Sequence, residues 1–473
     1  MTAVAAPSPA TYPPAVRPLR AVSLLVAGVV LLGAIAWTVT MLVRPSTVGG
    51  KPNVLLIVTD DQRFDTVGEM PALGRWFLDG GVQFSHAYTT TPLCCPSRAS
   101  FLTGRYMHNH GIDDNLEDAS VLRRIQRHTV QAALDGAGYR TGLFGKLFNN
   151  WPNEIDPSFF DRWATTPFVT YEGDEWNVDG VVRTVRQNAV SYVGDRFVRF
   201  ASNGERDDRI PWFALVGFMA PHLPVTLEPP YAAIDVPPVE MTPARGEVDR
   251  SDKPAYVLRN PLKQGSTIDE RRVPALRSLQ AVDDQIDRMM RRLEELDELD
   301  DTLAIVISDN GYHWGEHGLF QKSTPYQETV HVPMMARWPG HIEPGSVDDR
   351  LTGLLDLAPT ILTAADLSHP DDLDGVDLLR EGPGREQLLL EFRRLEGEHV
   401  PSWSAIVTRS WIFVEYRTVA GRPIGREYYD LADDPAQLVN LFGDGDPTND
   451  PDAGTLTAEL RSMMSCAGLT CPR

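Results

Sequence analysis

The chain has 473 residues, of which 42% are hydrophobic, and its formal net charge is −21 at pH 7. This length is sufficient for a large α/β domain with a smaller second domain. The acidic balance argues against nucleic acid as a partner, and any anion must therefore be bound by local cations.

The N-terminal part contains an uncharged apolar run, residues 21–43, that is long enough to span a bilayer. Two arginines precede the run and one follows it, which slightly favours a cytoplasmic N-terminus. Ala34-Ile35-Ala36 has the small residues of a signal-peptidase site, but the apolar run continues past it. We expect a tail (1–20), a single-pass anchor in the cell membrane and a linker (44–51), with an extracytoplasmic catalytic domain. The alternative is secretion after signal cleavage.

Two apolar runs rich in β-branched residues predict buried strands of a parallel sheet. The run Asn53–Thr59 ends in Asp60-Asp61, and the run Thr302–Ser308 ends in Asp309-Asn310. Open α/β sheets form their sites at the carboxyl ends of such strands, so we expect these four side chains to lie together. Three carboxylates and an amide suit Ca²⁺, with Mg²⁺ as the alternative.

The stretch Leu93–Arg105 reads Leu-Cys-Cys-Pro-Ser-Arg-Ala-Ser-Phe-Leu-Thr-Gly-Arg. Pro96 suits the first position of a helix and Gly104 suits its end. Cys94 would then lie at the helix N-terminus, where free N–H groups favour an anion. Arg98, one turn further on, can hold the same anion. The pattern therefore combines a nucleophile, an anion-binding helix terminus and a cation.

Three more side chains follow predicted strands at the same edge of the sheet. Lys146 comes after Tyr139–Gly145, His222 follows Trp212–Phe218, and Lys322 lies in the segment after Asp309. Each of them taken singly would be an ordinary solvated lysine or capped histidine. Their shared placement makes them candidates for binding an anion or transferring a proton.

The remaining segments predict structural elements. Glu270–Asp301 has helical apolar spacing and is interpreted as a surface helix packed on the sheet, with no catalytic role. Trp403–Tyr416 alternates apolar and polar residues, which indicates antiparallel strands of a small C-terminal subdomain. Cys466 and Cys471 enclose a short loop and would pair in an oxidising compartment, with two free reactive thiols as the alternative.

The pattern Cys-x-Pro-Ser-Arg-x-x-x-Leu-Thr-Gly-Arg that begins at Cys94 resembles the type I sulfatases. In motif detail it is most similar to the N-acetylglucosamine-6-sulfatases, and the resemblance extends over 52–441. It implies an alkaline-phosphatase-like α/β fold, with a mostly parallel sheet sandwiched by helices. The catalytic domain would span 52–395, and the small α+β subdomain and tail would span 396–473.

In this family the first cysteine of the pattern is oxidised to formylglycine, whose hydrated aldehyde attacks sulfur. The resemblance implies that Cys94 is that cysteine and that a formylglycine-generating enzyme is a partner during maturation. Lys146 and Lys322 would neutralise the sulfate oxygens, and His222 would protonate the departing oxygen. The implied catalytic residues are Cys94, Arg98, Lys146, His222 and Lys322, and the implied ligands of Ca²⁺ or Mg²⁺ are Asp60, Asp61, Cys94, Asp309 and Asn310.

One departure from the family pattern concerns the residues after Lys146. Many sulfatases have Gly-Lys-Trp-His there, whereas this chain has Gly-Lys-Leu-Phe-Asn. Asn149 or His110 would have to occupy the space of the missing histidine, and His317 is a further candidate on the substrate side. The glucosamine-6-sulfatase-like members also lack that histidine, so we still expect an active enzyme.

These features predict a sulfatase that hydrolyses sulfate monoesters of a small molecule or carbohydrate. A phosphoesterase or phosphonate monoester hydrolase of the same superfamily is the first alternative, because sulfate and phosphate esters have similar shapes. The second alternative is a membrane-tethered binding protein in which Cys94 is never converted.

Overall fold

The computed structural model describes residue 2 and residues 50–473, apart from 117–118, 168–169, 203–209, 395–396 and 398. The predicted anchor at 21–43 lies outside the described residues. Within the described residues, no helix has both the length and the apolar character needed to cross a membrane. The described residues from 50 onward belong to one compact unit.

A ten-stranded sheet forms the centre of this unit, in the order β10-β2-β9-β8-β1-β7-β3-β4-β5-β6. Its strands are β1 (Asn53–Asp60), β2 (Val82–Tyr88), β3 (Arg140–Gly145), β4 (Arg162–Thr165), β5 (Asp174–Val178), β6 (Val181–Val185), β7 (Trp212–Pro221), β8 (Thr302–Ser308), β9 (Met334–Arg337) and β10 (Ser346–Gly353). The two predicted strands that carry the acidic pairs are β1 and β8, and they are neighbours.

The sheet is mixed, with five parallel and four antiparallel strand pairs among the described residues. The strands from β8 through β1, β7 and β3 to β4 are parallel, whereas β9 is antiparallel to both of its neighbours. Beyond β4 the chain forms an antiparallel hairpin, because Asp179 and Gly180 both have positive φ and close a two-residue turn between β5 and β6. The parallel centre, which positions the acidic pairs, is as predicted.

Helices cover both faces of the sheet. Leu55 and Ile57 of β1 pack into one apolar cluster with the long helix Gly265–Glu295, and Val54 and Leu56 pack into the other. The long helix is the one predicted at 270–301. The other α-helices are Pro71–Leu73, Cys94–Thr103, Met107–His110, Ala119–Ile125, Val130–Gly136, Ala189–Ala201, Pro229–Ala232, Ala255–Leu258, Gln327–Val330, Leu357–Ala364 and Ala453–Met463, with single 3₁₀ or π turns at Phe64–Glu69, Gly74–Leu78, Gln126–His128, Glu316–Gly318, Leu354–Asp356 and Gly468–Thr470.

A second, smaller sheet follows and is antiparallel, in the order β11-β12-β13-β14. Its strands are β11 (Leu388–Phe392), β12 (Ser402–Val407), β13 (Trp411–Arg417) and β14 (Pro423–Asp430). The antiparallel pair predicted within 403–416 is therefore present, and the sheet begins before residue 396.

The C-terminal loop binds the segment that follows the helix Cys94–Thr103. Cys466 and Cys471 form a disulfide, and the Cys466 carbonyl lies 2.9 Å from His108 Nε2 and accepts a hydrogen bond from Asn109 Nδ2 at 3.0 Å. Asp374 accepts hydrogen bonds from Asn109 Nδ2 and from the backbone N–H of Gly468. The end of the chain thus stabilises a segment next to the cysteine motif.

Candidate active site

The register between β1 and β8 brings the two acidic pairs together. Thr59 lies opposite Ser308, so both strands end at the same level. The chain turns sharply at Asp61, whose φ is +68°, and its N–H donates to Asp309 Oδ1 at 3.3 Å. The backbone N–H of Asp309 in turn donates to the Thr59 carbonyl at 3.1 Å.

The motif helix, Cys94–Thr103, begins two residues earlier than predicted. Pro96 therefore occupies the third helical position, where its missing N–H still costs nothing, because the first-turn N–H groups have no partner within a helix. Gly104 ends the helix with φ of +70°, as its position in the motif predicted. Ser97 Oγ donates to the Asp309 carbonyl at 2.6 Å, so the helix is joined directly to the end of β8.

Four acidic or thiol side chains converge at the N-terminus of the motif helix. The donor atoms of Asp60, Asp61, Cys94 and Asp309 all lie within 4.8 Å of one another, and all four residues are buried. Asn310 Nδ2 donates to Asp61 Oδ1 at 2.6 Å, whereas Asn310 Oδ1 is buried without a partner. An unpaired amide oxygen beside three carboxylates fits the oxygen ligands that Ca²⁺ or Mg²⁺ requires.

Two lysines contact this cluster from opposite parts of the chain. Lys146 Nζ pairs with Asp60 Oδ2. Lys322 Nζ lies 2.5 Å from Asp61 Oδ1 and 2.9 Å from Cys94 Sγ. Lys322 thus contacts the cysteine directly, and Lys146 contacts the carboxylate next to it. Both ammonium groups therefore lie where they can bind an anion beside Cys94.

Arg98 and His222 complete the set of predicted side chains. Arg98 Nε donates to Asp309 Oδ2 at 2.8 Å and its Nη1 donates to the Lys146 carbonyl at 2.8 Å, while its Nη2 is buried without a partner. His222 Nε2 lies 3.8 Å from Asp61 Oδ2, and its side chain is 26% exposed. The structure thus brings all five predicted catalytic residues and all four oxygen ligands into one site.

Two carboxylates in this site, Asp60 and Asp309, have opposite pKa shifts. Burial acts to raise the pKa of Asp60, but the charges of Lys146, His222 and Lys322 outweigh burial and lower that pKa well below its usual range. Burial and the charge of Asp60 raise the pKa of Asp309. The neighbouring cations therefore do not fully offset burial and the charge of Asp60 at Asp309, and a divalent cation bound there would stabilise the charged form of this carboxylate.

The thiol of Cys94 is unsuited to act as a nucleophile. Burial, reinforced by the charge of Asp60, raises the pKa of this thiol to about 12. The reactive form of a cysteine is the thiolate, which is scarce at neutral pH when the pKa is so high. The unmodified thiol is therefore a weak nucleophile in this site, which agrees with the conversion of Cys94 that the family resemblance implies.

Two of the residues predicted on the substrate side are engaged within the protein instead. His317 is fully buried, lies 2.7 Å from Glu247 Oε2 through Nδ1 and stacks on Tyr326. His110 accepts the N–H of Ile112 at Nδ1, and its Nε2 lies 3.0 Å from Ser100 Oγ of the motif helix.

Asn149, the third of these predicted residues, lies on the side of the adjacent cysteine. Its backbone N–H donates to Cys95 Sγ at 3.2 Å, and its side-chain oxygen is buried without a partner. It therefore remains a candidate for the space of the missing histidine.

His110 is expected to make the fold sensitive to acid. Burial, with the charges of His108 and Arg105, lowers its pKa from 6.5 to about 3. Below pH 6.5 the unfolded chain gains a proton that the folded chain does not, so the free energy of unfolding falls by up to about 1.4 kcal/mol per pH unit. His110→Asn should reduce the slope of the free energy of unfolding between pH 6.5 and 4 in urea unfolding by up to this amount, while the buried His331, whose pKa is lowered to about 4, keeps its own contribution. His369→Asn, at an exposed site, should retain the slope, and an unchanged slope for His110→Asn would contradict the assignment.

Sequence reasoning missed two side chains that position the site. Ser97 was part of the motif but had no assigned role, although it joins the motif helix to Asp309. Tyr171 donates its hydroxyl to the His222 carbonyl at 2.8 Å, across 51 positions of sequence. Nothing in the sequence around Tyr171 indicates this contact.

Comparison with known families agrees with the fold. The family model described as Sulfatase matches residues 52–367, and the model described as N-sulphoglucosamine sulphohydrolase, C-terminal, matches residues 315–465. The chain belongs to the sulfatase family. The family predicted from the cysteine motif is confirmed.

Three relatives illustrate the similarity. The chain is 29% identical to the human N-acetylglucosamine-6-sulfatase over 89% of this chain and 86% of that protein. It is 26% identical to the N-acetylglucosamine-6-O-sulfatase of Bacteroides thetaiotaomicron, over 83% of each chain. It is 33% identical to the extracellular sulfatase SULF-1 homolog of Drosophila melanogaster over 70% of this chain, but spans only 31% of that protein. It spans 49% of the related Caenorhabditis elegans protein.

Solved structures share the fold at lower identity. A protein in complex with its substrate D-glucosamine-2-N,6-O-disulfate matches with a TM-score of 0.72 and 23% identity, over 88% of this chain and 97% of that one. The phosphonate monoester hydrolase of Agrobacterium radiobacter matches with a TM-score of 0.65 and 22% identity, over 84% and 93%. The fold alone therefore does not separate sulfate from phosphonate ester hydrolysis.

Proposed function

We propose that this chain hydrolyses the 6-O-sulfate ester of a glucosamine-type sugar to the alcohol and inorganic sulfate. The observation that carries this proposal is the convergence of three carboxylates, Asn310 and Cys94 beneath Lys146, Lys322 and Arg98. The choice of sugar is supported by the names of the human and Bacteroides relatives. It is also supported by the glucosamine disulfate bound to a protein of the same fold.

The oxygen ligands for a divalent ion would be Asp60, Asp61, Asp309 and Asn310, with Ca²⁺ favoured over Mg²⁺ because Ca²⁺ accepts many protein oxygens, whereas Mg²⁺ usually keeps several waters and binds one or two carboxylates. Once Cys94 has been converted to formylglycine, that group and the ion together supply an activated hydroxyl and a Lewis acid. The buried amide oxygen of Asn310 has no hydrogen-bond partner among the described residues, which supports a role as a ligand.

The cations of the site would hold the sulfate group of the substrate. Lys146 and Lys322 each contact a carboxylate of the cluster, so an ion bound by those carboxylates would leave both ammonium groups free to bind sulfate oxygens. Arg98, fixed by Asp309 and by the Lys146 carbonyl, holds the two elements in position. Preorganised cations of this kind stabilise charge that develops in the transition state. They also provide the local anion binding that a chain of net charge −21 needs.

His222 would be the general acid. It is more exposed than the carboxylate of Asp61 that it faces, which supports a position on the side from which a substrate would enter. Tyr171 fixes its backbone through the carbonyl. A sugar alkoxide is strongly basic and needs a proton as it leaves, so a histidine at this position accelerates the step.

Replacing His222 tests both this role and the class of substrate. His222→Ala should lower kcat/KM by about 10²- to 10⁴-fold on N-acetylglucosamine 6-sulfate, because general acid catalysis contributes that much. The loss should be much smaller on nitrophenyl sulfate, whose leaving group needs no proton. His369→Ala, at an exposed histidine bound to Thr363, is the matched control and should change neither rate. Equal losses on both substrates would leave His222 as a sulfate ligand only.

Hydrolysis rates of matched sulfate, phosphate and phosphonate monoesters test the choice of ester, since phosphonate monoester hydrolases share the fold.

We also propose that the catalytic unit works outside the cytoplasm. The Drosophila and C. elegans relatives are named extracellular sulfatases, and a disulfide such as Cys466–Cys471 persists in oxidising compartments.

A further inference from the structure

Two cations lie over an aromatic ring beside the loop that carries Lys322. The ring belongs to Phe320, which is partly exposed. Lys263 Nζ lies 5.4 Å from the ring centroid, and Arg271 Cζ lies 4.8 Å from it. Phe320 precedes Lys322 by two residues, so their Cα atoms are at most about 7 Å apart. The pair of cations is therefore close to the proposed sulfate site.

A hydrogen bond joins this group to the site. The hydroxyl of Tyr312 donates to the Phe320 carbonyl at 2.9 Å. The charges of Asp61, Arg271 and Lys322 all act on this phenol, so the cations and the cluster both lie near it. Tyr312 follows the predicted ligand Asn310 by two residues. Tyr312 and Phe320 thus lie on the loop that also supplies Asn310 and Lys322. We call Lys263, Arg271 and Phe320 the rim of the site.

The charges on this rim are not neutralised by the protein. Within the described part of the chain, neither Lys263 nor Arg271 forms an ion pair with a carboxylate, and the nearby Asp269 pairs with Arg272 instead. Burial and the positive charges of Arg250 and Arg271 lower the pKa of Lys263. Adjacent cations without a carboxylate, in a chain of net charge −21, create a local positive potential at the rim of the site.

We propose that Lys263, Arg271 and Phe320 form a second anion subsite, which binds a negatively charged group of the substrate other than the sulfate ester that is cleaved. This inference rests on the proposed function. The bound group would be a sulfate or carboxylate on the same sugar or on the adjoining one, since both cations donate hydrogen bonds to either anion. The ring of Phe320 would cover an apolar part of the sugar. The first turns of the long helix, for which we predicted no catalytic role, would then take part in substrate selection.

The test compares substrates that differ by one negative charge. In the mature, metal-loaded enzyme, kcat/KM is measured for glucosamine 6-sulfate carrying either an N-acetyl or an N-sulfate group. It is also measured for disaccharides with and without a uronate carboxylate. We expect the wild-type enzyme to prefer the more anionic member of one pair, and the preferred pair identifies the source of the anion. The double variant Lys263→Met/Arg271→Gln should reduce that preference about 10-fold or more, mainly through KM, because charged hydrogen bonds are lost.

The matched control removes the same net charge elsewhere. Arg124 and Arg127 lie near Thr103 and Arg105, at the other end of the motif helix from Cys94, and the double variant Arg124→Gln/Arg127→Gln should keep the preference. An equal loss of preference in the control, or an unchanged preference in the Lys263/Arg271 variant, would overturn the subsite.

Equilibrium binding of the same substrate pairs to the Cys94→Ala enzyme separates this proposal from the proposed function. If the wild-type enzyme cleaves no sulfate ester, the proposed function fails. In that case the binding measurement still tests the anion subsite, and equal affinity for both members of each pair would overturn the subsite.

Discussion

Cys94→Ala should lose at least about 10⁴-fold in kcat on N-acetylglucosamine 6-sulfate, the order seen when a catalytic nucleophile is removed. Cys95→Ala should retain most of the activity. The sulfur of Cys94 lies 3.5 Å from Asp60 Oδ1 and 2.9 Å from Lys322 Nζ, at the centre of the acidic cluster. The sulfur of Cys95 instead accepts the N–H of Asn149 and packs into an apolar cluster.

These two variants are a matched pair because the cysteines differ in position and not in thiol reactivity. Both are buried, and burial raises the pKa of Cys94 to about 12 and that of Cys95 to about 11. Mass spectrometry of the peptide that contains both residues should show the aldehyde at Cys94 in the wild-type enzyme and in Cys95→Ala. Circular dichroism checks that each variant is folded. Equal loss of activity in the two folded variants would mean that the wrong cysteine was chosen or that the pair acts together.

Asp309→Asn should lower the affinity for Ca²⁺ by about 100-fold or more, because it removes a charged ligand and loosens Arg98. Asp60→Asn should act in the same direction. Activity should fall in both variants and recover partly in excess Ca²⁺. The thermal stabilisation by Ca²⁺ should shrink as well, since a ligand at free concentration L that binds only the folded chain stabilises it by RT ln(1 + L/Kd), which falls as Kd rises. Metal content, calcium titration and melting temperature are the measurements.

The control for these variants is Asp372→Asn, which alters an exposed aspartate paired with Arg105. It should bind Ca²⁺ as the wild-type protein does. A metal content in Asp309→Asn and Asp60→Asn equal to that of the wild-type protein would show that the proposed ligand set is wrong. Parallel titrations with Mg²⁺ decide between the two ions.

The central strands could be predicted because strands buried on both faces are continuous apolar runs. Asn53–Thr59 and Thr302–Ser308 are such runs, and they correspond to β1 and β8. The antiparallel parts of the sheet give weaker signals. β9 has only four residues, and the hairpin of β5 and β6 depends on a turn at Asp179 and Gly180 that we did not recognise.

The members of the site could be predicted from sequence, but their pairings could not. Lys322 contacts Asp61 across 261 positions, and that contact depends on the register of β1 with β8 and on the course of a loop. The contacts of two histidine side chains could not be predicted from the sequence either. His110 and His317 lie close in sequence to functional residues, yet each is hydrogen-bonded within the protein, because proximity in sequence does not fix the direction of a side chain.

The burial of Cys94 has a consequence for the order of events during synthesis. This residue has no exposed surface in the folded protein, and the segment after its helix is held by Asp374 and Cys466, which follow Cys94 by 280 and 372 positions. Those contacts cannot form until the later residues have been made, about 15 to 75 s afterwards at 5–20 residues per second. Under the proposed function, a formylglycine-generating enzyme would have to reach the cysteine before these contacts form, so the lag between synthesis of the motif and arrival of the C-terminal loop would be the time available for the conversion.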